Sequence, residues 1–296
     1  GACGQCKAEL MSGEFEMGKH IDKAISEEEK AQGKVLLCCT TAKSDLKINV
    51  PGFNQNALPV RTLPARIENI EIKHDVALLK LALPKAPPFA FYAGQYIDLL
   101  LPGNISRSYS IANSPDQEGV LELHIRKREN GVCSEMIFGA EPKIKEKGIV
   151  RVKGPLGTFT LQQDSNKPMI LLATGTGYAP IRSILLDLIR QNSERQVHFY
   201  WGARQQEDLY ALEEAEALIG RLKNAKFSPV LSKPDSEWKG ENGYVQDVAA
   251  QNYPDLSQYE VYACGSPEMT ESAHGLLTQK CALPEDTFFC DAFSPA

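Results

Sequence analysis

Residues 169–190 read MILLATGTGYAPIRSILLDLIR, and this stretch decides the fold. Met169 to Ala173 is a continuous apolar run of the kind needed by a strand buried on both faces. Thr174-Gly175-Thr176-Gly177 interrupts it, and Ile181, Ile184, Leu185, Leu188 and Ile189 then recur at helical spacing. Strand, glycine turn and amphipathic helix in that order form a βα unit. Downstream, Val197 to Trp201, Phe227 to Leu231, Glu260 to Ala263 and Thr287 to Cys290 read as further strands, alternating with amphipathic stretches such as Leu209, Leu212, Leu218, Ile219 and Leu222. Five strands with intervening helices predict an α/β domain on a five-stranded parallel sheet, over residues 164–296.

Upstream the pattern changes to short alternating strands separated by Gly and Pro turns: Ala77 to Leu83, Tyr96 to Leu101, Ser108 to Ala112, Val120 to Arg126, Ile149 to Lys153. These predict an antiparallel β-barrel over residues 65–163. Pro51, Gly52, Pro59 and Pro64 mark a linker, taken as 53–64, and residues 1–52 form a shorter, more polar segment. Within that segment, Ser26 followed by Glu27, Glu28 and Glu29 suits a helix start.

The 296 residues suffice for two domains and a smaller third piece. A net charge of −6 offers no electrostatic footprint for nucleic acid or anionic lipid, and the basic run Arg126-Lys127-Arg128 reads by itself as a solvated strand end. No apolar run approaches the ~20 residues of a membrane span. Four of the eight cysteines fall in the first 39 residues, as Cys3-x-x-Cys6 and the adjacent Cys38 and Cys39. They read as metal ligands in a reducing, cytoplasmic setting.

Four constellations carry chemistry. The Gly175-x-Gly177 turn opens a helix with Pro180 in its first turn, leaving backbone N–H groups free to cradle a pyrophosphate. The acid expected about 20 residues on in the common dinucleotide fingerprint is absent, since that region reads Gln196-Val197-His198. Arg107-Ser108-Tyr109-Ser110 offers a guanidinium for a phosphate, a phenol ring to stack on a flat heterocycle and a hydroxyl for a ring nitrogen, and Gly131-Val132-Cys133-Ser134 opens an apolar stretch that can present N–H groups to another phosphate. Cys264-Gly265-Ser266-Pro267 stands at the end of a parallel strand, where open sheets bind ligands. In the cysteine set, Cys3, Cys6 and Cys38 match three of the four ligands of a plant-type [2Fe–2S] centre, whose C-x4-C partner would fall before Gly1. The segment is therefore expected to be the latter part of its domain. A zinc site from Cys3, Cys6, Cys38 and Cys39 is the rival, disfavoured because neighbouring residues of an extended strand point to opposite faces. The five His, the two Trp and the acidic stretch Glu213, Glu214 and Glu216 have ordinary packing or solvation readings.

Taken in order, these motifs resemble the ferredoxin-NADP reductase superfamily, and within it the reductases that carry an N-terminal plant-type ferredoxin domain. These reductases include the glucoseen reductases of deoxysugar synthesis and oxygenase reductase components, and the ending Phe288-Phe289-Cys290-Asp291-Ala292-Phe293 and the stretch Tyr200-Trp201-Gly202-Ala203-Arg204, with Asp208-Leu209-Tyr210, are most similar to the glucoseen reductases and related flavin reductases. The resemblance implies a mixed fold: a truncated ferredoxin-like (β-grasp) segment, an FAD-binding barrel and an NAD-binding α/β domain. It implies that Arg107, Ser108, Tyr109 and Ser110 bind the flavin, with His124, Ile125 and Arg126 joining the cofactor-binding set. Gly131, Val132, Cys133 and Ser134 would hold the FAD pyrophosphate. Gly175, Thr176, Gly177 and Pro180 would take the nicotinamide dinucleotide, with Cys264, Gly265 and Pro267 beside the nicotinamide. Ser110, Cys264, Asp291 and Phe293 would serve the reaction, Phe293 covering the flavin and Asp291 orienting the rings. Cys38 rather than Cys39 would be the distal cluster ligand. The activity implied is NADH-dependent electron transfer through FAD and a [2Fe–2S] cluster to a protein acceptor, an oxygenase or a sugar-nucleotide dehydratase. Arg204 with Glu207 and Asp208 gives mixed charge where a 2′-phosphate would sit, which favours NADH over NADPH. The competing readings are a reductase of free flavin and a metal-binding redox module without turnover.

Overall fold

A computed structural model describes residues 6–50 and 58–293, which fall into two compact units divided between Ala57 and Leu58. Cys3 and residues 53–57 of the expected linker lie outside the described residues.

In the first unit, strands β1 (Lys7–Ser12), β3 (Lys34–Leu36) and β5 (Lys47–Asn49) form an antiparallel sheet in the order β3-β1-β5, and β2 (Phe15–Met17) pairs with β4 (Thr40–Ala42). Helix α1 (Glu27–Ala31) starts where Ser26 predicts, in a capping box: the Ser26 hydroxyl accepts from the Glu29 N–H, and the Glu29 carboxylate accepts from the Ser26 N–H. Ala24, Ile25 and Leu36 make a small core against which Cys6, Met17 and Cys39 pack. Cys38 and Cys39 lie in a 3-10 turn, Leu37–Cys39, rather than in the extended strand assumed from sequence.

The second unit opens with strands β6 (Arg61–Lys73), β7 (Val76–Ala82), β8 (Tyr96–Leu101), β9 (Ile105–Ser110) and β10 (Val120–Arg126), then helix α2 (Val132–Phe138) and strand β11 (Ile149–Leu156). These strands form one antiparallel sheet in the order β10-β7-β6-β11-β8-β9. The bridge Ile111↔Leu123 and the bond from the Ala112 N–H to the Glu122 carbonyl bring its two edges together, which closes the barrel. Alternation sends Ile97, Leu99 and Leu101 of β8, and Leu63, Ala65 and Ile67 of β6, inward. Strand β6 begins at Arg61, inside the stretch read as linker. Pro64 is tolerated there because β6 pairs only with β11 at that point and takes up β7 from Arg66 onward.

The α/β part follows as β12 (Met169–Thr174), α3 (Tyr178–Arg190), β13 (Val197–Ala203), α4 (Leu212–Ile219), β14 (Ala225–Leu231), β15 (Glu241–Asn242), α5 (Val245–Asn252), β16 (Glu260–Gly265), α6 (Pro267–Lys280) and β17 (Phe288–Ala292). All pairings are parallel, in the order β15-β14-β13-β12-β16-β17. The five expected strands are present, and the two-residue β15 extends one edge. Helices α3 and α4 cover one face through Ile184, Leu188 and Ile219; α5 and α6 cover the other through Val248, Met269 and Leu277. From the central β12 the chain moves to β13 and β14 on one side and later returns to β16 and β17 on the other. The carboxyl ends of β12 and β16 therefore flank the switch point, the usual ligand crevice of such sheets.

Candidate active site

At that switch point the backbone is packed without room for side chains. A 3-10 turn, Gly175–Gly177, joins β12 to α3, with Gly175 in the left-handed region at φ +54°. A Cβ on Gly177 would overlap the Cys264 carbonyl, and one on Gly265, at φ +145°, would overlap Thr174 Oγ1. Thr174 Oγ1 also accepts from the Ser266 N–H at 3.2 Å. Two of the motif glycines thus let β12 and β16 approach each other, a requirement separate from phosphate cradling. Behind the turn, Tyr178 stacks on Trp201 at 4.3 Å between ring centroids, and Trp201 Nε1 donates to the Gly175 carbonyl at 3.0 Å. Pro180 sits in the first turn of α3, as expected.

The barrel contributes the other half. Strand β9 pairs with β8 so that Tyr109 lies opposite Ile97 and Ser110 opposite Tyr96. Arg107 and Tyr109 are half-buried and Ser110 is buried. Among the hydrogen bonds of the described residues, the Arg107 guanidinium donates to the Ser106 carbonyl, at 2.8 Å, whereas Ser108 is exposed and donates to Asp98 at 2.7 Å. Tyr109 lies beside Cys133, and burial pushes the phenol well above its ordinary value and raises the thiol. Gly131 caps α2 without a side chain, and Ser134 Oγ accepts from the Arg128 N–H at 2.8 Å, folding the turn before the helix. Ile125 and Cys133 are buried in the barrel core, with Val132 packed against it.

The two halves meet at Asp291. Burial pushes its carboxyl up to about 6, with the neighbouring Ser110 hydroxyl opposing. Tyr96 is raised by burial and by the facing carboxylates of Asp98 and Asp291, and the buried Cys264 thiol is raised by burial and by Asp291 and Cys290. Phe293 is held at the end of β16 by its N–H, which donates to the Gly265 carbonyl at 2.7 Å. Ser110, Cys264, and the pair Asp291 and Phe293, drawn from three separate stretches of sequence, are thereby gathered between the barrel and the strand ends.

The remaining expected residues fall elsewhere. His124 is buried with both ring nitrogens occupied: Nδ1 lies 2.8 Å from the Tyr210 hydroxyl and Nε2 3.1 Å from Glu122. Its side chain serves the junction between barrel and α/β part. Arg126 reaches the Gly175–Gly177 turn; its guanidinium carbon lies 3.8 Å from where a Gly175 Cβ would be, and Nη2 donates to the Asp208 carbonyl at 3.2 Å. Its Nε is buried without a hydrogen-bond partner, beside Asp75 at 3.4 Å. Arg204 is exposed just past β13.

Sequence reasoning missed Arg182 and Glu214. Arg182, the one charge in the apolar start of α3, donates to the Ala112 carbonyl at 2.7 Å and to Glu214 at 2.8 Å, so Glu214 is paired rather than simply solvated. The only sequence signal was a lone arginine between Ile181 and Ser183. Two surface clefts, of about 440 and 360 Å³, lie at the amino ends of the parallel strands, at the far edge of the sheet from these residues.

In the first unit, the Cys6 and Cys38 sulfurs are 3.1 Å apart, while Cys39 Sγ turns to the Leu36 carbonyl. Among the described residues no group of three or more His, Cys, Asp or Glu is arranged around a metal position. No helix among them is long and apolar enough to cross a membrane.

Comparison with known proteins follows this layout. Residues 65–161 match the oxidoreductase FAD-binding domain family, and residues 171–275 the oxidoreductase NAD-binding domain family. The chain is 41% identical to the CDP-6-deoxy-L-threo-D-glycero-4-hexulose-3-dehydrase reductase of Yersinia pestis, over all of this chain and 88% of that protein. It is 33% identical to the reductase component of propane 2-monooxygenase from Rhodococcus jostii, over all of this chain and 82% of that one. The crystal structure of a cytochrome P-450 reductase from Amycolatopsis superposes with a TM-score of 0.83 at 30% identity, covering 99% of this chain and 88% of that one.

Proposed function

The chain belongs to the ferredoxin-reductase-type family of NAD(P)H- and FAD-dependent oxidoreductases, and on that premise we propose that it takes electrons from NADH and delivers them singly, through a [2Fe–2S] cluster, to a separate protein. NADH would supply a hydride, two electrons with one proton; with a second proton from solvent, bound FAD would accept both electrons and a bound cluster would pass them on one at a time. The observation that carries this reading is the approach of the barrel to the strand ends of the parallel sheet, where the Arg126 guanidinium carbon lies 3.8 Å from where a Gly175 Cβ would be and Ser110 neighbours Asp291.

The residues present fit the two nucleotides. Arg107 holds a guanidinium without an anionic partner among the hydrogen bonds described, suited to a flavin phosphate. Tyr109 offers a ring beside Cys133, and Gly131 to Ser134 a side-chain-free helix start for the pyrophosphate. At the crevice, Gly175 to Gly177 and the Arg126 guanidinium beside them, which is ion-paired with Asp75 through Nε, suit a dinucleotide phosphate. Ser110 and Asp291 orient the reacting rings, and Phe293 closes the flavin side. The exposed Arg204 is followed by Glu207 and Asp208, and this mixed charge favours NADH.

For the cluster, Cys6 and Cys38 present adjacent sulfurs, Cys3 would join them, and the fourth thiolate would come from the C-x4-C position that falls before Gly1; Cys39 faces its own backbone and serves packing. Thiolates in that role suit a reducing cytoplasm. The acceptor is a sugar-nucleotide dehydratase or an oxygenase, in line with the partners named for the Yersinia and Rhodococcus relatives. The test is anaerobic titration of the purified protein with NADH: the visible flavin band should bleach, and cytochrome c should then be reduced. Turnover of added flavin by a protein that binds no chromophore would reject the reading.

A further inference from the structure

We propose that Arg182 is a positioning residue that sets the approach of nicotinamide to flavin, by clamping helix α3 to the barrel strand end that carries Ser110; the role rests on the reading above. Arg182 lies one helical turn into α3, directly behind the Gly175–Gly177 turn. Its Nη1 donates to the Ala112 carbonyl, two residues beyond Ser110, at 2.7 Å, and lies 3.6 Å from Glu122. Nε and Nη2 donate to Glu214 Oε1 at 3.0 and 2.8 Å. The next residue, Ser183, donates its hydroxyl to the Asn113 carbonyl at 2.8 Å. Asn113 in turn accepts from the Glu122 N–H through Oδ1 at 2.9 Å. Two consecutive side chains of one helix therefore hold two consecutive carbonyls of the barrel.

The same helix starts at the dinucleotide turn, and the same barrel segment ends at Ser110. A shift at the clamp is carried to both reacting sides without any unfolding. The side chain is 13% exposed and sits between two carboxylates, so lysine would preserve the charge but lose the fork that meets Ala112 and Glu214 together.

Three FAD-loaded variants test this: Arg182→Gln, Arg182→Lys and Glu214→Gln. In R182Q the single-turnover rate of flavin reduction by NADH should fall about 10–100-fold, as expected for a misplacement near 1 Å. NADH affinity should change less than about threefold, under 1 kcal/mol. The long-wavelength absorbance that appears when NAD+ is added to the photoreduced protein should weaken, and amide exchange at Ala112 and Asn113 should accelerate in the cofactor-free protein. R182K and E214Q should fall between R182Q and wild type. Unchanged exchange with an unchanged rate per bound FAD overturns the proposal, as does a loss explained wholly by lower FAD content or thermal stability. A wild-type protein that binds FAD yet is not reduced by NADH overturns the functional reading and this role together.

Discussion

Ser110, the last residue of a barrel strand, neighbours Asp291, on the last strand of the parallel sheet, so that its hydroxyl favours the charged carboxylate. Burial raises that carboxyl from 3.8 to about 6. Between these values the folded protein binds more protons than the unfolded chain, so this group's contribution to stability falls as pH rises from about 4 to about 6 and is level above. Because Asp291 is only half-buried as a residue, the difference should be about 1–2 kcal/mol rather than the full value of a two-unit shift. Urea denaturation across this range should show the wild-type minus D291N difference changing by that amount, with D291N gaining relative to wild type at the higher pH.

Gly177→Ala should damage the nicotinamide side alone. The added Cβ meets the Cys264 carbonyl, a backbone atom that cannot rotate away. We expect a loss of about 1–3 kcal/mol in stability and a marked weakening of NADH binding, with FAD retained. Calorimetric titration with NADH and the flavin content of the purified variant check both; loss of FAD with normal NADH affinity would contradict the layout.

How much of this was readable beforehand depends on whether a feature is local. The βα unit at 169–190, the Ser26 cap and the alternation of β8 declare themselves within a few residues. Strand β6 did not, because Pro64 reads as a breaker until its unpaired side is known. Glu241–Asn242 has no periodicity and becomes a strand only because β14 offers an edge. Arg107, Ser110, Cys264 and Asp291 were recoverable only as an ordered set, since each alone has an ordinary packing reading. Arg182 and Glu214 became visible only in three dimensions: a charge in an apolar helix signals a partner, but the sequence does not say that one partner is a carbonyl 70 residues away.

Arg107→Ala should lower FAD affinity. Losing a charge-assisted bond to phosphate costs about 1.5–3 kcal/mol, which is about 10–150-fold in Kd. Flavin fluorescence on titration into the cofactor-free protein measures it. Because Arg107 bonds only its neighbour's carbonyl among the hydrogen bonds described, thermal stability without FAD should stay within about 0.5 kcal/mol of wild type.

Cys38 and Cys39 are adjacent in sequence but should differ in consequence. C38S should abolish cytochrome c reduction while sparing NADH-dependent reduction of ferricyanide, which can take electrons at the flavin. C39S should keep both and lose only modest packing stability, about 1 kcal/mol. Equal loss of the two activities in C38S would refute the assigned electron path.

One consequence of the packing behind the dinucleotide turn concerns measurement. The chain has two tryptophans, and only Trp201 is fully buried, stacked on Tyr178 and tied by its indole N–H to the Gly175 carbonyl. The protein thus carries its own fluorophore, hydrogen-bonded to the turn where we propose the dinucleotide binds. In a W238F background, where Trp201 emits alone, occupancy of that loop can be followed by ultraviolet emission even before any flavin is added.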